Sequence, residues 1–319
     1  MKSRNIHYSD DGAISVVETE VGDPGPGEVQ VRGGACGICA WDIATCKLGK
    51  KIRLFAPPGH EGIGYVHKTG PGVAGLREGD RVFSGGFQNY ANHPAIHVHK
   101  LPDSPLPDEH WLVEPVACVV TGMDTARLRA GDRVALVGCG FMGLLFAQLL
   151  ARSPLARLLA LDIETSRLEL ARGFGIADTR ALPAAPADAA ALLRELKGDE
   201  GFDVVIDTTG TQGGLDTAAA LVATGGQINL FGWLKGDRAN FDPSLWHLNG
   251  CTIVNSSPSA RVRDPLPAAM RLISTGLVKL APLVSHIVSM DDYAGLMKKI
   301  LAGDKTYIKG VVRTAPQTV

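Results

Sequence analysis

The chain has 319 residues, 45% of them hydrophobic and 20% charged, with a formal net charge of −1. That length allows two domains and a sizeable core, and the charge balance excludes a general attraction to nucleic acid or an anionic membrane. The opening MKSRNIHYSDDG is polar and holds no apolar signal core, and the six scattered cysteines read as reduced thiols of a cytoplasmic protein.

Residues 1–115 read as β-rich and irregular. EVQVRGGAC (28–36) alternates like a strand, GIGYVHKTG (62–70) reads as another, and GDRVFSGG (79–86) as turn, short strand and turn. Heavy Gly and Pro punctuation suits a small barrel. Near residue 118 the pattern changes. RVALVG (133–138) is a continuous apolar run, as in a strand buried on both faces. FMGLLFAQLLA (141–151) follows at helical length. Residues 134–151 carry no charge, but Gly138, Gly140 and Gly143 argue for strand, tight turn and buried helix rather than a membrane span. LLALD (158–162), TSRLELARGFG (165–175), DVVID (203–207), a helix near 214–223 and GQINLFG (226–232) continue the alternation. That order predicts a parallel sheet with helices on both faces. The Pro-Ala stretch 182–187 reads as a loop and CTIVNSS (251–257) as a last strand. Two helical patches (265–276, 291–303) and a strand, YIKGVVR (307–313), are too few to fold alone and are expected to rejoin the N-terminal domain. The predicted fold is α/β, with residues 1–117 and 259–319 forming one domain and 118–258 a doubly wound dinucleotide-binding domain.

Gly138-Cys139-Gly140-Phe141-Met142-Gly143 is a GxGxxG directly after a strand and opening a helix. The first glycine allows a tight turn, the second lets the backbone approach a pyrophosphate, and the third lets helix and strand pack closely. Asp162 ends the next strand, where a carboxylate accepts from the ribose hydroxyls and repels a 2′-phosphate, favouring NAD over NADP. A helix N-cap is its alternative use. Arg167 could reach the same ribose edge or be a solvated helix residue. Thr208 and Thr209 follow DVVID, where ligands bind in open sheets, though a helix cap explains Thr209 equally.

Cys39, His60 and Glu114 would give zinc a thiolate, an imidazole and a carboxylate with one position open. Glu61 is the obvious fourth, bound at rest or waiting just outside. Asp42 would hold a ligand in place or compensate charge. Cys36 reads as core. His97 and His99 would share one strand face as a possible second metal pair, with ordinary barrel histidines the plainer reading.

Taken in order, GICxxD, GHEGxG, GDRV, EPxA and GxGxxG resemble the zinc-dependent medium-chain alcohol dehydrogenases over nearly the whole chain, closest to the sorbitol/polyol and threonine dehydrogenase branch. The resemblance implies a GroES-like barrel with a Rossmann domain and a metal in the cleft between them. It implies catalytic zinc ligands at Cys39, His60 and Glu114 with Glu61 adjacent or exchanging, and a dimer or tetramer. The four-cysteine lobe of many members is missing after GDRV, so one catalytic zinc and no structural zinc is expected. Trp41 stands where the family places Ser or Thr, and Ala44 where it often has His. The usual hydroxyl relay is therefore absent, and Trp41 either walls the pocket or packs in the core.

The expected reaction is hydride transfer between NAD and a secondary alcohol (polyol, sugar or cyclitol type) and its ketone. If a bound alcohol shifts as a zinc-bound water does, from about 15.7 to about 7, the alkoxide gains about 12 kcal/mol. The competing readings are a zinc-free NAD(P)H-dependent quinone or enoyl reductase and a non-catalytic nucleotide-binding protein. The only partner expected besides copies of itself is a small alcohol or ketone; nucleic acid and membrane are not. The substrate pocket would involve loops 42–56 and 254–264, the first given a basic cast by Lys47, Lys50, Lys51 and Arg53.

Overall fold

A computed structural model describes residues 1–49, 59–232, 240, 243–256 and 261–316. The chain divides into two compact units, Met1–Pro115 with Met270–Val319, and Val116–Ala269.

The first unit begins with an antiparallel pair, β1 (Lys2–Tyr8) and β2 (Ile14–Glu20), which the sequence pattern did not predict. Then come β3 (Glu28–Gly37), α1 (Ala40–Leu48), β4 (Glu61–Thr69), β5 (Arg81–Phe83), β6 (Tyr90–Pro94) and β7 (His99–Lys100). α2 (Val113–Ala126) leads into the second unit, which holds β8 (Arg133–Val137), α3 (Phe141–Leu150), β9 (Arg157–Asp162), α4 (Thr165–Gly173), β10 (Asp178–Ala181), α5 (Pro186–Lys197), β11 (Phe202–Asp207), α6 (Gln212–Leu221), β12 (Val222–Leu230), α7 (Pro243–Asn249) and β13 (Thr252–Asn255). α8 (Leu266–Ser274) leads back, and β14 (Val284–Ser289), α9 (Tyr293–Leu301) and β15 (Lys309–Arg313) complete the first unit.

Its sheet runs β14-β15-β3-β4-β5-β7, with β6 also paired to β3. β3 is antiparallel to both β15 and β4, so its C-terminal end lies beside the starts of those two strands. Gly37 faces Glu61 on one side and Val311 on the other. α9 forms because Tyr293, Leu296 and Met297 recur at helical spacing, and it buries them against Ile6, Cys36, Ile38 and Val312. Truncating Leu296 to alanine there would cost about 2–5 kcal/mol.

The second unit is a parallel six-stranded sheet in the order β10-β9-β8-β11-β12-β13. RVALV of β8 is central and almost wholly buried, as a strand covered on both faces must be.

Two expectations are corrected. The 182–187 stretch is not loop throughout, because α5 begins at Pro186, a residue suited to the first turn, where an N–H would be unpaired anyway. His97 and His99 do not share a strand face. His97 ends a 3-10 turn, Ala95–His97, and only His99 lies in a strand. Among the described residues no helix is long and apolar enough to cross a membrane.

Candidate metal and dinucleotide sites

The strand register brings the metal-ligating side chains together. β3 delivers Cys39 just past its end, at the N-cap of α1, while His60 and Glu61 stand at the start of β4. The ligand atoms of Cys39, His60 and Glu61 all lie within 4.8 Å of one another, the donor spread a single ion can gather. Glu114, in the first turn of α2, is not in that group, but its charge acts on the Cys39 thiol.

Asp42 organises the centre. Its two carboxylate oxygens accept from the Cys39 amide at 2.8 Å and the Gly59 amide at 3.1 Å. One buried side chain thus ties the segment carrying Cys39 to the segment carrying His60. Asp at the third position of α1, reaching back to the N-cap amide, is half of a capping box. Burial pushes the Asp42 carboxyl up to about 6, against the opposing pull of His60.

Lys309, opening β15, is a site residue that sequence reasoning missed. Its Nζ donates to Glu61 Oε1 at 2.7 Å and to the Ile38 carbonyl at 2.8 Å. Burial works against its charge, but Glu61 and Cys39 beside it prevail and hold its pKa above the usual lysine value. Gly37 is the second missed residue: a Cβ there would collide with Glu61 Oε2 and come within 3.1 Å of Lys309 Cε. A lysine inside the strand YIKGVVR, ahead of the apolar Val311 and Val312, was the available signal, since lysine is rarely buried without a partner.

These residues fit a zinc ion. The donor set is thiol, imidazole and carboxylate. Glu61 is buried, and Lys309 Nζ 2.6 Å from its Oε2 holds the carboxylate in place beside the thiol and the imidazole. Burial, with the charge of Glu61, raises the Cys39 thiol well above its normal pKa; a divalent cation would reverse that.

In the second unit the glycine loop has the form that a pyrophosphate needs. Gly138 sits at φ 91°, reachable at little cost only by glycine. A Cβ on Gly143 would strike the Gly138 carbonyl, whereas one on Gly140 would meet no atom within 4 Å. Gly140 caps α3 without a side-chain acceptor, while α6 is capped by Thr211, which accepts from Gly214. With no side-chain cap claiming them, the amides of Met142 and Gly143 in the first turn of α3 face the position an anion would take.

Asp162 accepts from the Cys139 amide at 2.6 Å and the Glu164 amide at 2.8 Å, joining the end of β9 to the glycine loop. The N-cap of α4 is Glu164, not Asp162. Arg167 is half-buried, and its charge reaches the Cys139 thiol, which burial pushes up to about 12. Thr208 donates to the Gly138 carbonyl at 2.9 Å, and Thr209 to Asp207 at 2.8 Å. Both hydroxyl protons therefore go to holding the loops that shape the site.

Residues 25–103 match the family described as alcohol dehydrogenase GroES-like domain, and residues 142–275 that described as zinc-binding dehydrogenase. The chain belongs to the zinc-dependent medium-chain alcohol dehydrogenases. Membership accounts for the pairing of a barrel-type unit with a parallel nucleotide-binding sheet. Among family members, the chain is 26% identical to D-arabinitol dehydrogenase 1 of Uromyces fabae, over 92% of this chain and 93% of that one. It is 27% identical to (R,R)-butanediol dehydrogenase of Bacillus subtilis (strain 168), over 98% and 99%. A Sinorhizobium meliloti 1021 structure bound to NADP shares the fold with a TM-score of 0.85 at 22% identity, over 98% and 99%.

Proposed function

We propose that this dehydrogenase interconverts a secondary alcohol of polyol, sugar or cyclitol type and its ketone, using one zinc ion and NAD. The convergence of Cys39, His60 and Glu61 carries the zinc part of the reading. Similarity to relatives named for arabinitol and butanediol supports a polyol or diol substrate.

Zinc held by Cys39 and His60, with Glu61 or Glu114 as the carboxylate, would supply Lewis-acid polarisation of the substrate oxygen. The remaining work belongs to the chain. Asp42 fixes the Cys39 amide and the Gly59 amide beside His60, and Lys309 holds Glu61 and the carbonyl next to Cys39. The α3 amides and Asp162 would seat the dinucleotide, with the Asp162 carboxylate favouring a free ribose and hence NAD. With Trp41 in place of a hydroxyl residue, the proton would leave through water, a carboxylate or a substrate hydroxyl. The missing four-cysteine lobe supports a single zinc, and family kinship supports a homodimer or homotetramer in the cytoplasm. Of the loops expected to line the substrate pocket, 42–56 and 254–264, residues 42–48 belong to α1 and 254–255 to β13 instead, and 50–56, with Lys50, Lys51 and Arg53, and 257–260 lie outside the described residues.

The test is metal analysis of purified protein with steady-state NADH and NADPH production over a panel of polyols and diols. One zinc per chain with NAD-linked turnover of a polyol is expected. Zinc-free protein that reduces quinones or enones with NADPH would overturn the proposal.

A further inference from the structure

The ladder between β14 and β15 pairs Val284 with Lys309 and then His286 with Gly310, leaving Ser285 without an opposite residue. The extra residue is a bulge, which re-aims a side chain. The Ser285 hydroxyl takes up the backbone groups beside it. Oγ accepts from the Ile308 amide at 2.9 Å and the Lys309 amide at 3.2 Å, and donates to the Lys309 carbonyl at 3.1 Å. His286 Nδ1 lies 2.9 Å from the same oxygen. The grip thus falls on the backbone of the residue whose ammonium enters the metal site.

We propose that Ser285 is a positioning residue for the metal centre: it fixes the Lys309 backbone and, through Lys309, sets how firmly Cys39 and Glu61 are held for a divalent cation. Lys309 contacts Glu61 directly and touches the segment of Cys39 through the Ile38 carbonyl. A shift at position 309 therefore reaches both ligand segments. A buried ion pair is sensitive to such a shift, because desolvation is offset only in good geometry. Ser285 touches neither substrate nor metal in this scheme. The inference rests on the zinc reading above.

The experiment uses the full-length zinc-loaded protein with Ser285→Ala and Ser285→Thr. Three readouts apply: zinc release to a chromogenic chelator, acetylation of Lys309 followed by mass spectrometry, and the thiolate charge-transfer band of the cobalt-substituted protein. Ser285→Ala should release zinc about tenfold faster or more, expose Lys309 to acetylation and shift the cobalt band, while Ser285→Thr restores all three. Ile287→Ala on the same strand should leave release unchanged. Wild-type release and an unlabelled Lys309 in Ser285→Ala overturn the inference, as does equal acceleration by Ile287→Ala. If Ser285→Ala does not fold, Ser285→Cys, which keeps the shape with weaker hydrogen bonds, carries the same test. Wild-type protein that holds no zinc removes the metal-site reading itself. Wild-type protein that holds zinc, with an unaffected Ser285→Ala, removes only the role of Ser285.

Discussion

Lys309 and Glu61 form an ion pair in which the two side chains are only 4% and 2% exposed. Removing one partner leaves the other charged in a dry setting, which costs about 3–5 kcal/mol. Lys309→Met should lose stability on that scale in chemical denaturation. Adding Glu61→Gln should recover part of it. A single variant as stable as wild type would refute the assignment.

Asp42 predicts an unusual pH dependence in metal-free protein. Its folded pKa is about 6 against an ordinary 3.8. Between these values the folded state holds the extra proton, so this carboxyl's contribution is full below about pH 4 and lost as pH rises through about 6, a change of about 3 kcal/mol. Carboxylates with lowered values, such as Asp80 and Asp203, slope the other way. The difference between wild-type and Asp42→Asn stability curves isolates the effect. A flat difference between pH 4 and 6 would count against it, and added zinc should shrink it.

The glycine loop separates folding from binding. Gly140→Ala meets no protein atom and keeps an extended φ of −68°, so stability should hold within about 0.5 kcal/mol. Its methyl would still intrude where the pyrophosphate approaches, and NADH affinity should fall about tenfold or more, equivalent to ~1.4 kcal/mol. Gly143→Ala should damage both, because its Cβ strikes the Gly138 carbonyl. Fluorescence titration with NADH beside thermal melts decides this; unimpaired binding by Gly140→Ala would show that the loop does not cradle phosphate.

Chelation should abolish turnover, and zinc should restore it. Cys39→Ser should lower zinc affinity, since a serine hydroxyl does not ionise to replace the thiolate. Full zinc occupancy and full turnover in Cys39→Ser would contradict the ligand assignment.

The nucleotide-binding unit was legible because its signals are local. The apolar run of β8, the glycine spacing and the start of α3 follow one another along the chain. The metal centre was legible only as a set of candidates. Cys39, His60 and Glu61 come together through pairing between β3 and β4, and nothing between residues 37 and 61 states that register. Lys309 and Ser285 depend on β14, β15 and β3 lying side by side, which local pattern does not encode. The β1–β2 pair escaped for a related reason: β2 is largely exposed and shows no clean alternation.

The bridge that Asp42 builds between the amides of Cys39 and Gly59 has a consequence for how the ion is acquired. The amides of the two ligand segments are engaged by the chain's own carboxylate and need no cation to join them, so zinc would enter a site whose backbone is tied independently of it, unlike small zinc modules whose chain collapses only around the incoming cation.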